Sequence, residues 1–188
     1  MGLKVGGLNA EPGDLYSKAQ RIFTGRKATH SFVVLEEFYD EKVLLDARYS
    51  VTIDPESRVI DNQNLELWLF EIPIENAREV EKKVYKQFIG QDYGYKQLPW
   101  FLWRRFLEQF SDKDFRKTYR KALTSGVICS ELVWWALYYC GGSVKDYIIQ
   151  YNSDAIHSGD IKDILYDMYY KGLAKLVLER YINNNRSS

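Results

Sequence analysis

Cys129, in the run Gly126-Val127-Ile128-Cys129-Ser130-Glu131-Leu132-Val133-Trp134-Trp135-Ala136-Leu137, stands directly before an apolar stretch with helical spacing. Leu132, Val133, Ala136, Leu137 and Cys140 recur at steps of three and four. Ser125 and Gly126 read as the loop that delivers the chain to that helix. A thiol in the first turn of a helix lies near unpaired backbone N–H groups and the positive end of the dipole. Both favour the thiolate, the form that attacks a carbonyl carbon. Such a nucleophile needs a base, and the chain offers two histidines, His30 and His157.

His30 lies in Ala28-Thr29-His30-Ser31-Phe32-Val33-Val34-Leu35, whose β-branched and aromatic content reads as a strand opening at the histidine. After the polar turn Asp40-Glu41, Lys42-Val43-Leu44-Leu45-Asp46-Ala47-Arg48 reads as a second strand. Strands so close in sequence pair antiparallel, as a hairpin or meander. Asp46 is then a carboxylate among apolar neighbours on the strand next to His30, able to accept from the second nitrogen of the imidazole. Cys, His and acid together make an activated-thiol arrangement. The third member is open on residue chemistry, since Glu36, Glu37 and Asp40 also lie near His30 in sequence. Against this stands a plainer reading, in which the cysteine is a small buried hydrophobe and the histidine a hydrogen-bonded structural residue. His157, in the loop Asp154-Ala155-Ile156-His157-Ser158-Gly159 before a helix, reads as structural or solvent-facing.

The order of these segments resembles the circularly permuted branch of the NlpC/P60 papain-like superfamily, the group similar to YiiX-type proteins. Pro12-Gly13-Asp14-Leu15 looks like that family's opening turn and strand, and residues 17–25 like the short helix before the histidine strand. His30-Ser31-Phe32-Val33-Val34 resembles its histidine strand and Leu44-Leu45-Asp46-Ala47 its acidic strand. Gln91-Asp92-Tyr93-Gly94-Tyr95 resembles its tyrosine-rich run, and Ile128-Cys129-Ser130-Glu131-Leu132-Val133 its nucleophile motif. Ser158-Gly159-Asp160-Ile161 resembles a late Pro-Gly-Asp-Leu segment. The likeness runs from residue 12 to about 170, with His before Cys. Three positions depart from it: bulky Phe32 stands where Gly or Ala is favoured, which narrows a cleft beside the histidine; Asp46 replaces Glu; and Ser158 replaces Pro.

The resemblance implies an α+β, permuted papain-like fold in which an antiparallel sheet holding His30 and Asp46 packs on a helix starting at Cys129. It implies acyl transfer to Cys129, with His30 as base and then acid and Asp46 orienting it. The bond attacked is an amide or ester in a peptide-like or lipid acyl substrate. The activity classes are amidase, peptidase, and lipid acyl hydrolase or acyltransferase. A tetrahedral oxyanion needs donors. The Cys129 amide is one, and Tyr93, Tyr95 and Ser130 are the candidate side chains for a second or for substrate contact. The competing class is a non-catalytic binding or structural module on the same scaffold, for which Phe32 and the altered acid are the best support.

Composition bounds these expectations. At 188 residues the chain fits one domain, expected over residues 1–182, with 183–188 as a disordered tail. Lys plus Arg number 26 and Asp plus Glu 26, so no net charge points to nucleic acid or an anionic membrane. Cys129 and Cys140, on one helix, are too far apart for a disulfide and read as free thiols of a reducing compartment. Two separated histidines and no cysteine pair at ligand spacing make no credible zinc site, and no cofactor is expected. The first residues lack a secretory pattern and no apolar run is long enough to span a bilayer. A cytoplasmic chain is therefore expected, with delivery by lysis or within an assembly left open.

Elsewhere, residues 65–72 read as a buried strand ended by Pro73, and residues 75–88, with Ala77, Val80, Val84 and Phe88 on one face, as a surface helix. Residues 99–110 crowd Trp100, Phe101, Leu102, Trp103, Phe106, Leu107 and Phe110 onto a helix. That pattern reads first as core and second as an aromatic wall over the cleft or a site for an acyl chain or partner, with Arg104 and Arg105 on its edge. Residues 111–125 read as a charged loop and short helix. A helix at 161–170 closed by Gly172 and a strand at 173–181 follow.

Overall fold

A computed structural model describes residues 2–9, 22, 27–36, 42–47, 50–62, 65–92, 94, 103, 106–107, 110 and 127–181. Its centre is a six-stranded sheet in which every neighbouring pair is antiparallel. The strands are β1 (Leu3–Asn9), β2 (Ala28–Leu35), β3 (Val43–Ala47), β4 (Val51–Pro55), β5 (Leu67–Ile72) and β6 (Lys175–Arg180), in the order β4-β3-β2-β1-β5-β6. The helices are α1 (Ser57–Ile60), α2 (Ala77–Phe88), α3 (Cys129–Tyr139), α4 (Gly142–Ile148) and α5 (Ser158–Tyr170). The class is α+β. Among the described residues no helix is long and apolar enough to cross a membrane.

Both faces of the sheet are covered, which is why its strands read as near-continuous apolar runs. Successive side chains point to opposite faces. Val33, Leu35, Leu45, Ala47, Trp68, Phe70 and Ile72 pack beneath α2, α3 and α5, joined by Val84, Leu132, Leu137 and Leu165. Phe32, Val34, Leu44, Leu67 and Leu69 form a second cluster on the other face, with Val59 of α1. Each large side chain so buried contributes roughly 1.5–3 kcal/mol relative to exposure. Phe32 is fully buried there, its ring against Gly6. It fills the second core, on the strand face that His30, two positions earlier on β2, shares by alternation.

β1 has no counterpart in the sequence reading, although it lies between β2 and β5. Its glycines conceal it, and the packing explains them. A Cβ on Gly7 would lie 2.2 Å from the carbonyl oxygen of His30 and 2.2 Å from Cζ2 of Trp68. The bare backbone is what lets the Trp68 indole cross β1 toward β2. β4, with polar Thr52 and Asp54 at a sheet edge, and α4 were also without a sequence signal.

The expected strands at 28–35, 42–48, 65–72 and 173–181 and the helices at 75–88 and 161–170 appear with ends shifted by a few residues. α5 starts earlier than expected because His157 is its N-cap. The His157 ring nitrogen accepts from the Gly159 N–H, and Asp160 accepts from the His157 N–H. A histidine capping box lacks the usual Ser/Thr/Asp signal. His157 is thus structural and buried, not solvent-facing.

Trp103, Phe106 and Leu107 are helical, but Trp103 is 49% and Phe110 75% exposed, so at these positions the aromatic segment is not core. Residues 10–21, 95–102, 104–105, 111–126 and 182–188 lie outside the described residues. With them go the expected opening turn at 12–15, Arg104 and Arg105, the charged loop and the tail. Substituting Gly7→Ala is expected to lower stability by about 1–3 kcal/mol in urea unfolding, since the new methyl overpacks a backbone oxygen and a rigid ring. An unchanged midpoint would mean that the indole can retreat.

Candidate active site

The site forms where the β2–β3 ladder ends. That ladder pairs Phe32 with Asp46 and runs on to Leu35 with Val43. His30 is the diagonal neighbour of Asp46, on the same face by strand alternation, a separation that long side chains bridge. Its Nε2 lies 2.5 Å from Asp46 Oδ1. Asp46 is buried, its side chain 2% exposed, whereas the His30 side chain is 16% exposed. Of the alternative acids, Glu36 instead pairs with Lys4 and, at 3.2 Å, with Lys42. Glu37 and Asp40 lie outside the described residues.

α3 brings the sulfur to this point. Ile128 precedes the helix in extended geometry (φ −97°, ψ 156°) and makes no side-chain cap, so the first-turn N–H groups are not consumed by one. Cys129 is 4% exposed. Its thiol makes a hydrogen bond with the Ser158 hydroxyl and lies within electrostatic reach of His30 and the Ser31 backbone. The Sγ–Oγ distance to Ser158 is 3.4 Å. With Nε2 given to Asp46, Nδ1 is the imidazole nitrogen left for sulfur. The structure thus brings Cys129, His30 and Asp46 together.

The electrostatics follow from burial and its compensation. Burial by itself pushes the Cys129 thiol up. The charge and hydrogen bond of His30, with hydrogen bonds from Ser158 and Ser31, outweigh it and bring the thiol down to about 7. For His30, burial pulls the imidazole down, but the Asp46 carboxylate and the Cys129 sulfur hold it up at about 10. The pair therefore favours thiolate and imidazolium between these limits. Cys140, buried without such a partner, is pushed up to about 12. Both cysteines are free.

Ser130 sits beside the nucleophile, but its hydroxyl donates to the Ile156 carbonyl at 2.8 Å. It tethers the loop before α5 to α3 and has no second proton for an oxyanion. Tyr93 and Tyr95 lie outside the described residues. Their backbone neighbours are close to the nucleophile: Val127 N–H donates to Asp92, and Gly94 N–H to Val127. Sequence reasoning missed Ser158 and Ser31. Ser31 Oγ is 3.2 Å from Ser158 Oγ, so β2, α3 and α5 meet at one hydroxyl. The one available signal was the serine at 158 where the resembling pattern has proline. Among the described residues no group of three or more His, Cys, Asp or Glu side chains is placed to hold a metal ion.

Alkylation by iodoacetamide is expected to mark Cys129 with a rate that rises around pH 7 and to leave Cys140 unmodified in the folded protein. In His30→Ala the rise moves toward the ordinary thiol range near 8.5. Peptide mass spectrometry reads both sites, and equal, slow labelling of the two would refute an activated thiol.

No family model matches this chain, and no curated protein matches it either. Among solved structures it is similar to the metalloprotein YiiX from Escherichia coli O157:H7, with a TM-score of 0.53 and 12% identity. The superposition covers 97% of this chain and 98% of that one. At that identity the likeness speaks for the fold alone: this chain shares its overall α+β architecture with YiiX.

Proposed function

We propose that the protein is a thiol hydrolase that cleaves an amide or ester bond through a thioester on Cys129, on a permuted papain-like scaffold of the NlpC/P60 type. The observation that carries this reading is the cluster of Cys129, His30 and Asp46, in which Asp46 engages His30 Nε2 and His30 acts electrostatically on the Cys129 thiol. The similarity to YiiX across nearly the whole chain supports the scaffold.

In the first step Cys129 sulfur attacks the carbonyl carbon, and the developing oxyanion is met by the backbone N–H of Cys129 at the uncapped start of α3. His30 then gives its proton to the leaving amine or alcohol, and later removes one from the water that resolves the thioester. Asp46 keeps the ring turned toward sulfur and stabilises the imidazolium, without itself taking the proton. The substrate is a peptide-like or lipid acyl compound, with acyl transfer to another nucleophile as a variant of the second step. YiiX is a metalloprotein. The described residues of this chain do not fit a metal, because Cys129, His30 and Asp46 are engaged with one another and form no ligand cluster. No step is routed through an ion.

The alternative is a non-catalytic module on the same scaffold. Of its two sequence supports, Phe32 and the altered acid, Phe32 packs in the second core and Asp46 reaches His30 Nε2.

Activity is expected to follow a bell in pH. It rises through about 7, where the sulfur loses its proton, and falls through about 10, where the imidazolium can no longer supply one. A panel of activated acyl esters and peptidyl amides, read by intact mass, is expected to give an acyl adduct on Cys129 that is absent in Cys129→Ala. Asp46→Asn is expected to lower kcat by about 10²–10⁴ while leaving KM nearly unchanged. Absence of adduct and turnover across the panel, with Cys129 reacting as an ordinary thiol, would leave the module.

A further inference from the structure

Ser158 lies against the Cys129 sulfur, at 3.4 Å. It is the first residue of α5, 1% exposed, and its hydroxyl touches the nucleophile of one element and a side chain of another. Its placement is rigid. The His157–Asp160 capping box fixes the backbone on both sides of it, and the Ser130–Ile156 hydrogen bond ties the preceding loop to α3.

Proton counting sets the direction of these bonds. A thiolate carries no hydrogen, so Ser158 must donate its one hydroxyl proton to Sγ. Its oxygen is then left to accept from the Ser31 hydroxyl, which is fully buried beside it. Ser31 acts twice, since its backbone also helps to lower the Cys129 thiol. The anion is thus met from three sides: imidazolium from His30, an N–H from β2 and an O–H from the start of α5. Hydrogen bonds to a charged acceptor are the strong ones. A proline at this position has neither a hydroxyl nor a proton to offer, so this donor is particular to the chain as it stands.

Resting on the thiol-hydrolase reading, we propose that Ser158 is a further catalytic residue, oriented by Ser31, whose hydroxyl holds the Cys129 thiolate at rest and receives it again as a leaving group. In that second step the oxygen of water bonds to the acyl carbon and its proton passes to His30. The C–S bond then breaks, its electron pair returns to Sγ, and the acid is released. The sulfur that re-emerges as an anion does so in front of the Ser158 O–H and the Ser31 N–H. Stabilising it there favours thioester breakdown, because a lower-pKa thiol leaves faster.

The test is the pH dependence of Cys129 alkylation by iodoacetamide in full-length wild type, Ser158→Ala, Ser158→Thr and Ser31→Ala, with Cys140 as the internal control. Ser158→Ala is expected to move the midpoint up by about one pH unit, the size of one charge-assisted hydrogen bond. Ser158→Thr, which keeps the hydroxyl, is expected to restore the wild-type midpoint. Ser31→Ala leaves Ser158 in place and removes only the hydroxyl that donates to it. A smaller shift in the same direction there is an independent reading of the relay. A wild-type midpoint near 7 that Ser158→Ala leaves unmoved would overturn the role of Ser158 while leaving the Cys–His pair standing. Equal shifts in the alanine and threonine variants would also overturn it, because packing would then set the midpoint. A wild-type midpoint in the ordinary thiol range would overturn this role and the hydrolase reading together.

Discussion

A sulfur only 4% exposed cannot rely on water to solvate a negative charge, and the arrangement around Cys129 answers that constraint. Its stabilisation comes from fixed donors: the His30 ring, the Ser31 N–H and the Ser158 hydroxyl. The same argument applies to Asp46, whose nearly buried carboxylate would be costly without the His30 nitrogen 2.5 Å away. Each charge is tolerable because the next is in place. Removing one member therefore leaves a buried charge less well compensated, a larger effect than the loss of one contact between neutral groups.

That dependence explains why distant parts of the chain converge here. β2 supplies the imidazole, an N–H and a hydroxyl from two consecutive positions, His30 and Ser31, just beyond the point where its pairing with β3 stops at Phe32. α3 supplies the sulfur and an uncapped first turn. α5 supplies a hydroxyl whose position is held by a capping box and by the Ser130 tether. The glycines of β1 belong to the same account. Gly7 lies against the carbonyl of His30 and under the Trp68 indole, so the strand behind the histidine is packed as closely as a backbone without side chains allows.

The likeness to YiiX fits this division of labour. At 12% identity few side chains are shared, yet nearly all of both chains superpose. Such a scaffold is kept by patterning on its strands and helices, whereas the chemistry depends on a handful of positions that the patterning does not dictate. The functional reading therefore rests on Cys129, His30, Asp46 and their donors, with the fold as their support.

Much of this was legible from local sequence. The apolar spacing after Cys129 marked α3, and the β-branched run after His30 marked β2. Periodicity is a local property, so elements with a clear apolar face declare themselves. β1 did not, because its glycines answer to Trp68 and Phe32 on other strands. Nor did the start of α5, capped by an atypical histidine. For the site, the types and order of Cys129, His30 and Asp46 could be read directly. The choice of Asp46 over Glu36 could not, since it turns on strand register and on the lysines that engage Glu36. Ser158 lay further still from reach. Its hydroxyl meets Cys129 across 29 positions and Ser31 across 127, and only the packing of two helices on the open end of one strand brings those three atoms together.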